Sequence, residues 1–207
     1  MADRREIVHL SSLLASRLCH DLVNPVGALQ TGLDVFGEDT DPEMQAHAIA
    51  LIKESTQKTI DILSFARMAF GSSGGWEGDL DMGEAGKLSE AYYNHAKATL
   101  IWDLPPQPLP KPLVRTLMNL VLMVERCAPR AGSEVRVFGE LPTFTIAATG
   151  PKLKYSEAFA DALTGDFAEL AAKETPAALA ALLAEAAGLT IDVDAGEEHL
   201  TLRISAE

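Results

Sequence analysis

The sequence predicts an α+β chain in two parts: an N-terminal antiparallel helical hairpin that dimerises into a four-helix bundle, and a C-terminal α/β sandwich. Three observations carry that expectation. Ile7, Leu14, Leu18, Leu22, Leu29, Leu33 and Phe36 recur at three- or four-residue steps or multiples of them, and Ile49, Ile52, Thr56, Ile60, Leu63 and Phe70 continue the same kind of stripe. That is the period of one helical face. Gly71-Ser72-Ser73-Gly74-Gly75 makes no packing demand and reads as a flexible connection. Beyond Asp79 the pattern changes, with short apolar runs alternating with helical stretches. The expected division is therefore 1–70 for the hairpin, 71–78 for the linker and 79–207 for the second domain.

The first helix is expected to begin near Asp3 and to reach Phe36, where Gly37 tolerates the left-handed cap conformation. Residues 38–42 form a short turn, with Asp41 as N-cap and Pro42 at the first helical position of a second helix ending near Phe70. A lone hairpin has too little partner surface to cover both apolar seams, and a second copy supplies it. In the second domain a helix is expected over 83–97, a strand over 99–102 and a stiff proline-rich connector over 105–110. The helix over 112–127 is apolar around most of its circumference and so is buried. Alternating runs over 134–139 and 143–148 make a hairpin, followed by a helix over 156–163. Thr175 as cap and Pro176 in the first turn open an alanine-rich helix that Gly188 stops, and a hairpin of 189–193 with 199–204 closes the chain.

Within the first helix lies Cys19-His20-Asp21-Leu22-Val23-Asn24-Pro25-Val26-Gly27. At roughly 100° per residue, His20 points away from Leu18 and Leu22 and toward solvent. Its own stripe is Leu13, Ser16, Arg17, Val23, Asn24, Gly27 and Thr31, mostly small residues that let another protein's loops approach the imidazole. Leu13, Ser16, Arg17, Val23, Gly27 and Thr31 are accordingly the expected partner-binding set, with Arg17 placed to meet a partner's carboxylates or phosphate. Pro25 removes the hydrogen bond to the Asp21 carbonyl at a cost of roughly 3 kcal/mol. Gly27 costs nearly 1 kcal/mol against alanine in mid-helix, which close approach by a partner would justify.

The string His20-Asp21-Leu22-Val23-Asn24-Pro25-Val26 resembles the phosphoacceptor box of sensor histidine kinases. The fuller run, Leu18-Cys19-His20-Asp21-Leu22 followed by Asn24-Pro25-Val26-Gly27-Ala28, is similar to the ChpT-type histidine phosphotransferases. That resemblance implies that His20 takes a phosphoryl group from one receiver-domain aspartate and hands it to another, the partners being receivers of a hybrid histidine kinase and of response regulators. Asp21, as the acidic neighbour, either orients the imidazole or is a solvated acid. Asn24, one turn on, either reaches a receiver loop or phosphoryl oxygen or is a polar residue tolerated before proline. His20, Asp21 and Asn24 form the expected catalytic set.

The order of elements in the second domain resembles the ATP-binding domain of histidine kinases, whose nucleotide motifs are altered here. The asparagine motif of the central helix reads Asn119-Leu120-Val121-Leu122-Met123-Val124, and a methionine cannot give an oxygen to a hard cation. The adenine-recognising Asp-x-Gly-x-Gly aligns with Ala148-Thr149-Gly150-Pro151-Lys152, and no glycine-rich lid precedes the last helix. The expectation is a retained fold that binds no cofactor, with Mg²⁺ carried by the receiver partner. Two other readings remain open at this point. One is an ATP-dependent kinase with a divergent site, and the other a non-catalytic docking or inhibitory partner of a kinase or receiver.

A net charge of −13 argues against nucleic acid as a partner. No apolar run is long enough to span a membrane and the N-terminus lacks a signal-peptide core, so the expected location is the cytoplasm. Cys19 and Cys127 stand far apart with no CxxC, which indicates neither a disulfide framework nor a zinc site.

Overall fold

The structure is a computed structural model describing residues 4–38, 41–71, 75–167 and 169–206 of the 207-residue chain. Contacts divide the chain into two compact units, Met1–Ala66 and Arg67–Glu207. That division falls ahead of the Gly/Ser segment, of which Ser72, Ser73 and Gly74 lie outside the described residues. Hydrogen bonding gives the reason: Arg115 Nε donates to the Met68 carbonyl at 3.3 Å and Asn119 Nδ2 to the Ala69 carbonyl at 3.2 Å.

The first unit is a pair of long helices, α1 (Arg4–Glu38) and α2 (Pro42–Phe70), whose last turn crosses into the second unit. The expected start at Asp3, and residues 39–40 of the expected turn, lie outside the described residues. The Asp41 carboxylate accepts the Glu43 amide at 3.1 Å and Pro42 is the first helical residue, as the cap pattern predicts. α1 continues through Pro25, which is buried. The two helices touch at Gly32, where an added Cβ would stand 2.8 Å from Ile52 Cγ1 and 3.2 Å from the Ala48 carbonyl. Glycine there is what lets the backbones meet.

The second unit carries a five-stranded sheet in the order β2-β4-β5-β7-β6, formed by Thr99–Asp103, Glu134–Phe138, Phe144–Thr149, His199–Ala206 and Leu189–Ala195 respectively. The β2–β4 pair is parallel and the other pairs are antiparallel. Val135 and Val137, Phe144, Ile146 and Ala148, and Leu200, Leu202 and Ile204 alternate onto one buried face. Helices α3 (Met82–Tyr93), α4 (Lys111–Cys127), α5 (Glu157–Thr164) and α6 (Thr175–Ala186) complete the unit, α4 packing on α6 and α6 on α5. Nearly the whole of α4 is buried, in keeping with a sequence that is apolar around most of its circumference.

Two local expectations are corrected. The proline-rich segment is not wholly a connector, because Pro108–Pro110 forms a short strand, β3, antiparallel to β1 (Asp79–Asp81). Proline cannot donate to a ladder, so such a strand survives only in a two-stranded edge arrangement, and amides outside it close the pair, Met82 to the Gln107 carbonyl and Lys111 to that of Gly78. Thr175 is not the cap of α6. A preceding turn already brings the Glu174 amide onto the Ala171 carbonyl, and the Thr175 hydroxyl donates back to the same carbonyl at 3.3 Å.

Cys127 is fully buried, and burial first, then the Glu125 carboxylate, pushes its thiol up from 9.0 to about 12. In the unfolded chain this proton leaves first. Its contribution to stability is therefore complete below about pH 9 and is lost as pH rises toward about 12. The buried Tyr93 hydroxyl, which donates to the Val121 carbonyl, is raised in the same direction. Alkaline denaturation should accordingly set in over that window and be shallower in Cys127→Ala. A thiol reagent at neutral pH should label the exposed Cys19 in the native protein and Cys127 only on unfolding.

Candidate functional site

The site is built on the middle of α1. The His20 side chain is 71% exposed, and its Nδ1 lies 3.3 Å from Asp21 Oδ1. Asp21 is only 11% exposed, and its second oxygen, Oδ2, accepts Arg17 Nε at 2.6 Å. When Nδ1 carries the imidazole proton and donates it to Asp21, the Nε2 lone pair is left bare on the exposed side of the ring. An exposed nucleophile with its other nitrogen fixed by a carboxylate is suited to attack on an incoming electrophile.

Arg17 corrects the expectation that placed it on the outward stripe. Its side chain is 3% exposed and so is not part of the open surface beside His20. Three residues before His20 is about 60° around the helix toward Asp21, and the i,i+4 relation puts Arg17 and Asp21 on one face. That opposite-charge spacing is the signal in the sequence that could have revealed the pair. Of the other expected contacts, Ser16, Val23, Gly27 and Thr31 are exposed and Leu13 is half-buried. Asn24 is exposed one turn after His20. A Cβ built on Gly27 would meet nothing within 4 Å, and the Thr31 hydroxyl donates to the Gly27 carbonyl at 3.1 Å. The helix surface near the imidazole is thus low and open.

The residues that the sequence aligns with the kinase-type nucleotide motifs lie in the second unit. Asn119 is fully buried, its amide donating to the Arg115 carbonyl at 2.8 Å as well as to Ala69. Met123 is buried, and so is Ala148, the residue the sequence aligns with the adenine-recognising carboxylate. Among the described residues no three His, Cys, Asp or Glu side chains gather in a metal-holding group. The loop after β5 borders an open cavity of about 690 Å³ whose lining includes Lys97, Arg130, Lys152 and Lys154.

Residues 82–199 match the family described as histidine phosphotransferase C-terminal domain. The chain is 35% identical to a protein phosphotransferase ChpT of Brucella abortus (strain 2308) over 196 residues, 92% of each chain. It is also similar to the solved structure of a bacterial phosphotransferase, with 31% identity and a TM-score of 0.83 over 99% of this chain and 98% of the other. Among the described residues no helix is long and apolar enough to cross a membrane.

Proposed function

This chain belongs to the histidine phosphotransferase family, and from that premise we propose that His20 relays a phosphoryl group between receiver-domain aspartates. The observation that carries the proposal is the exposed imidazole with Nδ1 turned to Asp21. As Nε2 bonds to phosphorus, the bond from phosphorus to the donor aspartate oxygen breaks and its electron pair returns to that carboxylate. The ring takes on positive charge, which the Asp21 carboxylate meets through Nδ1–H. The second transfer runs the same steps backward onto the acceptor aspartate. Positioning and charge neutralisation dominate phosphoryl transfer, and in this reading the receiver brings the Mg²⁺ while this chain brings a rigid helix and a nucleophile.

No nucleotide enters the scheme. The buried, hydrogen-bonded Asn119, together with Met123 and Ala148 at the other motif positions, supports a second unit that has kept its fold without the ligand chemistry. Its part is docking: in a chain of net charge −13, Lys97, Arg130, Lys152 and Lys154 around one cavity give an acidic receiver surface a place to rest. The protein works in the cytoplasm.

The chain acts as a homodimer. α1 leaves Val26, Leu33 and Phe36 exposed at helical spacing, and α2 does the same with Ile49, Ile60 and Leu63. A second hairpin would cover them in a four-helix bundle. Light scattering should give twice the chain mass for the wild type and the single-chain mass for Leu33→Asp, and a monomeric wild type would refute this part. For the relay itself, a phosphorylated receiver is mixed with the protein and a second, unphosphorylated receiver. Label should reach the second receiver only when this chain is present; direct exchange between receivers at the same rate without it would overturn the reading.

A further inference from the structure

We propose that Arg17 is a positioning residue for the transfer: its buried guanidinium holds the Asp21 carboxylate in the orientation that takes the Nδ1 proton of His20. The inference rests on the reading of His20 as the nucleophile. Asp21 follows His20 directly and so projects about 100° away around the helix. Only a carboxylate turned back toward the ring can meet Nδ1. Helical side chains lean toward the N-terminus, over the preceding turn, and Arg17 waits on that turn, its Nε 2.6 Å from Oδ2. The two oxygens are divided, one on Arg17 and the other facing His20 Nδ1 at 3.3 Å.

Exposure falls inward along this chain of contacts, from 71% at His20 to 11% at Asp21 and 3% at Arg17. The imidazole is accessible while the groups that orient it are enclosed. Helix stability does not explain the arrangement, because an i,i+4 pair with the acid on the C-terminal side is the weaker orientation. Nor does burial, since enclosed ion pairs seldom stabilise a fold better than apolar replacements. Positioning explains both the spacing and the burial. The same contacts serve each direction of transfer: Asp21 held toward Nδ1 meets the positive charge of the phosphorylated ring as it forms and as it is discharged.

The test compares wild type, Arg17→Met and Arg17→Lys in transfer from a phosphorylated receiver whose concentration is varied, with the imidazole tautomer followed by ¹⁵N NMR. Arg17→Met should lower kcat about 10- to 100-fold, leave KM within about twofold, and raise the population of His20 protonated at Nε2. Arg17→Lys keeps the charge without the planar fork and should recover part of both losses. A rise in KM with kcat intact would make Arg17 a receiver contact and overturn the proposal. So would a lowered kcat with the wild-type tautomer distribution, or rates equal to wild type. If His20→Ala still transfers phosphate, the reading of His20 itself fails; if His20→Ala is inactive and Arg17→Met is not impaired, only the role of Arg17 fails.

Discussion

Replacing His20 with alanine should abolish phosphoryl transfer, lowering it at least 10³-fold, to the background of receiver hydrolysis, while leaving receiver binding within about twofold of wild type. The two halves of that result come from different atoms. Alanine removes Nε2, the atom that must bond to phosphorus, and a nucleophile lost from a covalent mechanism is not replaced by its neighbours. The open helix surface beside it survives, because Ser16, Val23, Asn24, Gly27 and Thr31 remain exposed on the same helix. Alanine is also the strongest helix former, so α1 should not be weakened. Single-turnover transfer and a separate binding titration check the two halves. Transfer persisting in His20→Ala would remove the basis of the mechanism.

Asp21→Asn should slow transfer by about 10²- to 10⁴-fold, with receiver affinity unchanged. The amide has the shape of the carboxylate but only one acceptor oxygen. Arg17 Nε, now 2.6 Å from Oδ2, draws that oxygen to itself and leaves the amide NH₂ facing His20. Nδ1 must then accept rather than donate, which puts the proton on Nε2 and removes the lone pair that attacks. The variant also withdraws the negative charge opposite the phosphorylated ring. Single-turnover rates decide the matter: a rate within twofold of wild type would make Asp21 a solvated acid with no part in the chemistry.

Much of the fold was legible because it depends on period. The stripes of α1 and α2, the largely apolar α4 and the alternating β4, β5 and β7 each write their environment into the spacing of apolar residues. What escaped depends on contacts that spacing does not encode. The β1–β3 pair is held by the amides of Met82 and Lys111, residues outside both strands, while the prolines of β3 argue against a strand when read alone. α6 begins differently because the turn before it is set by the Ala171 carbonyl, so a Thr-Pro pair that looks like a cap sits inside the helix. At the site, the phase of the helix was enough to expect His20 in solvent. It was not enough for Arg17, whose long side chain follows the charge of Asp21 rather than its own angular position. Asn119 is a related case: its burial and its bond to the Ala69 carbonyl follow from packing between segments distant in sequence.

The central claim, that His20 borrows its phosphoryl group from a receiver because its own chain holds no nucleotide, is tested by ³¹P NMR of the protein in two incubations. With a phosphorylated receiver and Mg²⁺, a phosphohistidine resonance should appear and should be absent from His20→Ala; with Mg²⁺ and ATP alone, no such resonance should form. A phosphohistidine signal from ATP alone, or one that survives the loss of His20, would contradict the account.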